Sequence, residues 1–396
     1  MHKFWKMVCL LGLIAAPISI GLTGCGFFPP LNQCTSDCTT STDFMYVANS
    51  SNTTASPASI AGFSLTTTTV AATATTAASS TLTLAITPNS AYKLGFVPTA
   101  IAITPGNKYL YVGALTGGIY LYAINSDGSI TLQNNSTAVA SGIVSSMKVD
   151  STGAWLIVAN ASIATAKAQM SVYSIASTTG LLTSSGNLLV SKAGASNRMT
   201  IAPNNTNVFV TLGTGGTEAL TFNATTGALT DVGNLATLGT AYADQGVAVN
   251  PASTYAFVTE TGSAGVRVLT IGANGGLTEV SGSPFQTGLG PSGVLVDSSG
   301  SYVYVTNQTD DTISGFVLAA NGTLTEISGS PFSTGTTPVD IAEDATKTYV
   351  GVVCNGGGQD LEVYSFDATT GGKLDAAANA TTGTDPTLPI AIAATH

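Results

Sequence analysis

The stretch YVYVTN, Tyr302–Asn307, alternates polar or aromatic residues with valine and ends on an Asn. That pattern reads as a short strand with a turn signal behind it. Its relatives run through the chain: FMYVAN at Phe44, YLYVGA at Tyr109, WLIVAN at Trp155, NVFVTL at Asn207, YAFVTE at Tyr255 and YVGVVC at Tyr349. The central valines are Val47, Val112, Val158, Val210, Val258, Val305 and Val352, spaced by 65, 46, 52, 48, 47 and 47 residues. A period of that length, in a chain rich in Thr, Val, Tyr and Gly, marks a β repeat of seven units.

Each unit has the same parts. An alternating apolar strand such as TAIAIT at Thr99 comes first, then a turn such as PGNK or DSSGS, then the YVxN strand. A third strand follows, as in TISGFVL at Thr312, then a turn such as DATTG at Asp367, with Gly or Asn for positive φ. The fourth strand lies in LTEVSGSPF, Leu277–Phe285, which returns as LTEISGSPF at Leu324–Phe332. Four short strands per unit, seven times, predict an all-β, seven-bladed β-propeller of four-stranded blades. The first unit lacks its inner strand. LPIAIAAT, Leu388–Thr395, supplies the missing pattern, so the C-terminal strand is expected to complete blade one and close the ring.

The inner strands align without gaps. One parity is large and apolar (Ile390, Ile101, Met147, Met199, Val247, Val294, Ile341) and is expected to pack between blades. The other is mostly small (Pro389, Ala100, Ser146, Arg198, Gly246, Gly293, Asp340, with Lys148 one step further) and is expected to line a central channel. Arg198, Asp340 and Lys148 stand out there. The Thr/Ala stretch from Thr66, TTTTVAATATTAASSTLT, makes blade one longer and reads as an exposed extended loop.

The N-terminus reads as a leader. Lys3 and Lys6 precede an apolar run from Val8 to Ile20, too short for a membrane span. Leu22-Thr23-Gly24-Cys25 resembles the lipobox of bacterial lipoproteins, which implies residues 1–24 as signal peptide and acylation of Cys25. An ordinary secretory signal is the alternative. Gly26 stands where an inner-membrane lipoprotein often has Asp, so the expected address is the cell envelope, at the outer membrane or cell surface, anchored by lipid. Residues 25–42 read as a Ser/Thr/Pro/Cys tether and 43–396 as the propeller. Cys34 and Cys38 in CTSDC fit a small disulfide loop in an oxidising compartment; Cys354 reads as a small buried residue. Loss of Lys3 and Lys6 takes the formal net charge from −10 to −12, which argues against a nucleic-acid partner. A monomer is expected.

The YVTN-type anchors, the inner-hairpin pattern xPxxIAxxPxGxxxYV and GxLTxxxGSPF together resemble the bacterial β-propeller lactonase family. That family is similar to 6-phosphogluconolactonase and includes YVTN-repeat surface proteins. The resemblance covers roughly residues 43–396 and is fullest in GPSGVLVDSSGSYVYVTNQTDDTISGFVLAANGTLTEISGSPF. It implies the propeller fold and a lactone-hydrolysing branch that uses Glu with Arg and His at the channel mouth.

Lactone opening needs a base for water and donors for the oxyanion. The chain holds two His: His2 falls in the leader, and His396 follows the closing strand, at the end opposite the expected ligand face. Its two Arg are Arg198 and Arg267, the latter on a third strand, away from the axis. The Asn position of the anchors reads Asn49, Ala114, Asn160, Leu212, Glu260, Asn307 and Cys354. With Arg198, Lys148 and Asp340 below, this ring is expected to bind a small polar ligand, with Glu260 as base and Arg198 as anion or oxyanion stabiliser. The plainer alternative is that Asn and Glu serve turns and that Arg198 pairs with Asp340 or nearby backbone. Asn307, Asp310 and Asp311 offer oxygen ligands of the kind Ca²⁺ takes, in no known loop spacing; otherwise no cofactor is expected. No phosphate loop, HExxH, GxSxG or paired CxxC pattern occurs. Two functions follow: a surface propeller binding a small polar ligand, a glycan or a protein at the channel mouth, or a lactone hydrolase acting on an unphosphorylated sugar lactone.

Overall fold

The computed structural model describes residues 38–51, 53–72, 78–161, 167–234, 242–262, 264–383 and 387–396. The leader, Cys25 and Cys34 lie outside the described residues. Seven antiparallel sheets, each with a four-strand path, form the blades, and the described residues contain no α-helix. Blade six shows the order: Pro291–Val296, Tyr302–Asn307, Thr312–Leu318 and Leu324–Glu326.

Seven apolar clusters hold the ring together, one at each interface between neighbouring blades. The anchor phrase explains how neighbours lock. Its third residue, where it is Tyr, is buried and donates its hydroxyl to a turn carbonyl of the following blade: Tyr46 to Gly128, Tyr111 to Gly180, Tyr304 to Gly372. Its first residue lies flat on the same turn. A Cβ on Gly372 would stand 2.3 Å from the Tyr302 ring, and φ there is +76°. Turn glycine and anchor aromatic are therefore one device. The doubled LTE(V/I)SGSPF phrase braces the third strand in both of its copies. Ser283 and Ser330 accept backbone N–H bonds from the third strands at Val268 and Gly315, and Phe285 and Phe332 pair with those same strands.

The strand Pro389–Ala394 closes the ring by pairing with Cys38–Asn49 in blade one. Its register differs by two residues from the one the sequence pattern suggests. Val47 faces Ile392, as Val112 faces Ile101, so Ala391 and Ile392, not Pro389 and Ile390, are the counterparts of Ala100 and Ile101. A shift of two keeps every side chain on its face, which is why alternation alone could not detect it.

The two parities of the inner strands also sort differently from expectation. Ile101 packs back on blade one, and Ala100 packs forward on blade three. Blades stack face to face around the axis, so the channel meets strand edges rather than a sheet face. Small residues are needed because a neighbouring inner strand is close: a Cβ on Gly246 would stand 2.2 Å from the Ser292 carbonyl oxygen.

The Thr-rich stretch of blade one is paired strand on both flanks rather than loop. Ser59–Val70 pairs with Cys38–Asn49 and with Ser79–Ile86. Strand structure thus starts at Cys38, inside the segment read as tether.

Candidate site in the central channel

The inner strands surround a channel of about 350 Å³. Each inner strand pairs along one edge only, so its other backbone edge is turned to the lumen. Arg198 leads into the inner strand of blade four, Met199–Ile201, and its amide is fixed by donation to Thr211 Oγ1 at 3.1 Å. The guanidinium crosses to the opposite wall. Nη1 lies 3.4 Å from Asp340 Oδ2 in blade seven, and Nη2 donates to the Ile390 carbonyl ahead of blade one's Ile392, at 3.1 Å. Asp340 Oδ2 also accepts the Ile392 amide at 3.1 Å. The result is a strut across the lumen.

Lys148, in the inner strand of blade three, also lines the channel. Water reaches its side chain, yet protein surrounds it on all sides. That enclosure holds the ammonium below the usual lysine value; Asp340 opposes the shift and Arg198 adds to it. Arg198, Lys148 and Asp340 therefore share one lumen.

Two further lining residues were not nominated from sequence: Glu343 and His396. Glu343 stands where other blades carry Ile103, Val149, Ile201, Val249 and Val296. An acid in that apolar column was the available signal. Burial raises its carboxyl; bonds from Ser298 N at 2.8 Å and Oγ at 3.3 Å oppose this, and Asp297 adds to it. The His396 main chain exchanges two 2.8 Å bonds with the Asn107 side chain. Its imidazole is held below the usual value by burial, partly offset by a bond to the Ile103 backbone, with the Lys148 charge lowering it further. This is the mouth at which the inner strands end, the side expected from sequence.

Glu260 is elsewhere. It is 0% exposed, within blade five, with Oε1 3.5 Å from Nε of Arg267, itself 2% exposed. Arg267 also binds Glu279 at 3.3 Å. A carboxylate with no exposure, tied to a buried guanidinium, cannot take a proton from water in the lumen, so the structure separates Glu260 from Arg198. The other anchor Asn residues explain why. Asn49, Asn160 and Asn307 donate to third-strand hydroxyls within their own blades, Ser59 at 3.1 Å, Ser171 at 2.8 Å and Ser314 at 2.9 Å. The Asn position thus pairs second strand with third, and Glu260–Arg267 is blade five's version. Arg267 lies off the axis, as its third-strand place implies. Cys354 occupies the same position as a free, buried thiol pushed up to about 12, mainly by burial.

The oxygen donors near Asn307 do not converge. Asp310 accepts the Leu289 amide at 2.7 Å and Asp311 the Thr337 amide at 2.8 Å. Among the described residues no group of three or more His, Cys, Asp or Glu could hold a metal ion.

The family model described as lactonase, 7-bladed beta-propeller, matches residues 63–388. No curated protein matches the chain. Among solved structures, the periplasmic gluconolactonase of Pseudomonas aeruginosa superposes with a TM-score of 0.66 at 15% identity, covering 90% of this chain and 99% of that one. A provisionally named 6-phosphogluconolactonase of Bacteroides uniformis gives 0.67 at 15% identity, covering 89% and 99%. A Lactobacillus plantarum protein gives 0.63 at 19% identity, covering 90% and 100%. At these identities the likeness is one of fold.

Proposed function

The chain belongs to the seven-bladed β-propeller lactonase family, and we propose that it is a cell-envelope member that binds a small polyhydroxylated ligand in its channel through Arg198. The observation that carries this reading is the Arg198 guanidinium spanning the lumen to Asp340 and the Ile390 carbonyl. It is the one guanidinium the channel contains among the described residues. The envelope address is supported by the leader-like residues 1–24, which precede Cys25, where the lipid anchor is proposed, and by the periplasmic name of one structural neighbour.

Hydrolysis of an unphosphorylated sugar lactone is the second reading, favoured by the Asp340–Arg198 couple. Asp340 would take a proton from water as that water attacks the lactone carbonyl. Arg198 would hold the developing oxyanion. The ring C–O bond then breaks, and the released oxygen takes the proton, giving the hydroxy acid. Incubation of the purified protein with glucono-lactone, with released acid followed by pH-stat, tests this. Rates equal to buffer alone, with binding intact, leave the binding reading and remove the hydrolytic one.

A further inference from the structure

The fourth strand of each blade ends its sheet on a backbone edge, and six of the seven edges are blunted against further pairing. Ile130–Leu132, Leu277–Glu279 and Leu324–Glu326 are three residues long. Leu182–Leu189, Ala228–Asn234 and Leu374–Ala380 each break register against the third strand, and the last two carry Asp231 and Asp375. Blade one's Ser79–Ile86 does none of this. It pairs residue for residue with Ser59–Val70 over its full eight residues, without a break. It holds no charge, no Pro and no Gly. Among the described residues nothing pairs with its other edge.

One bond tells which backbone groups face outward. The Thr87 amide donates to the Gly62 carbonyl, and the register behind it is unbroken. Alternation then turns the N–H and C=O groups of Ser79, Thr81, Thr83 and Ala85 to the neighbouring strand, and those of Ser80, Leu82, Leu84 and Ile86 outward. The Leu82 and Leu84 side chains join the apolar cluster shared with blade seven, which holds the strand in place, and Ile86 is 67% exposed at its end. No Lys, Arg, His, Asp or Glu occurs from Phe44 through Tyr92. Copies of a chain with formal net charge −10 repel each other, and this run is where that repulsion is locally absent. A foreign strand is selected by charges or side-chain pockets. This edge offers no charge, whereas like strands meet without any. We propose that Ser79–Ile86 is a docking edge for a second copy of this chain, the two edge strands pairing antiparallel about a two-fold axis. The outward N–H and C=O groups of each copy then satisfy those of the other. Each copy has one such edge, so assembly stops at two. Eight residues of edge bury little area, so the dimer is weak and forms with rising concentration.

Sedimentation velocity of the purified full-length protein over a range of concentrations tests this. A two-copy species grows as concentration rises. Leu84→Pro removes one outward N–H at an edge position where proline fits. It weakens dimerisation at least roughly tenfold, because a two-fold interface loses that bond twice. Thr81→Lys together with Thr83→Lys, both at exposed side chains, sets like charges across the junction and does the same. Thr40→Lys, two strands inward on the same sheet face, does not. Melting curves matching the wild type show that the variants fold. In hydrogen exchange the Leu82 and Leu84 amides slow as concentration rises, while those of Thr81 and Thr83 are slow throughout. A single-copy species at every concentration overturns the proposal, as does a dimer indifferent to the edge variants or weakened equally by Thr40→Lys. A single-copy protein that binds an SSTLTLAI peptide at this edge also overturns it, and assigns the edge to another protein's strand.

Discussion

Arg198 and Asp340 meet across the channel, Nη1 to Oδ2 at 3.4 Å, from blades four and seven. Their side chains are 32% and 19% exposed, so water screens the pair and its contribution to stability is about 1 kcal/mol or less. Arg198→Ala should shift Tm by no more than about 3 °C while weakening channel binding at least roughly tenfold. Differential scanning calorimetry beside ligand titration checks both. A large loss of stability would mean that the strut holds the ring rather than a ligand.

Arg267 predicts the opposite pattern. It is 2% exposed, between Glu260 and Glu279. Arg267→Ala strands a buried carboxylate and should cost about 3–5 kcal/mol in denaturant unfolding. Glu260→Gln should cost less and leave channel binding unchanged, because Glu260 does not line the lumen. Loss of ligand binding in Glu260→Gln at unchanged stability would return Glu260 to the site.

Gly372→Ala tests the lock between blades. The new Cβ meets the Tyr302 ring at 2.3 Å, at a φ of +76°. The expected destabilisation is about 1–3 kcal/mol, read from the urea midpoint. A neutral result would show that the turn moves freely on its neighbour.

Stability should also respond to pH at Glu218, which is 0% exposed and accepts the Ser191 hydroxyl at 2.6 Å. Burial raises its carboxyl above the ordinary 4.5; Ser191 opposes, and Asp231 raises it further by hydrogen bond and by charge. A native-state value above the unfolded one favours the protonated form. Its stabilising contribution is full below about 4.5 and is lost as pH rises through the native value. Glu218→Gln should therefore raise Tm at pH 8, with the gain shrinking on acidification toward pH 4.5. A gain independent of pH would contradict this.

The fold was legible because its units repeat. Tyr302–Asn307 fixes blade count, strand order and closure, since each copy must solve the same packing problem against its neighbour. What repetition could not convey was the meaning of a position. In sequence the anchor Asn reads as a ring around a mouth; Asn307 on Ser314 and Glu260 on Arg267 show an internal pairing of strands two and three. Along the inner strands, the residues where copies disagree, Arg198, Lys148 and Asp340, line one channel. The same rule found Glu260 for a different reason, because a buried ion pair also breaks a repeat. Glu343 follows the same rule, an acid in an apolar column of the inner strands; the two-residue register of the closing strand became visible only in three dimensions, since alternation is blind to even shifts.

Whether Arg198 makes the channel the ligand site can be seen in a crystal structure of the protein soaked with glucono-lactone, beside the same soak of Arg198→Ala. Lactone or its acid is expected in the lumen within hydrogen-bonding distance of the Arg198 guanidinium, with no bound sugar there in the variant. Ligand at the outer strands with the lumen unchanged, or the same lumen density in Arg198→Ala, would contradict that assignment.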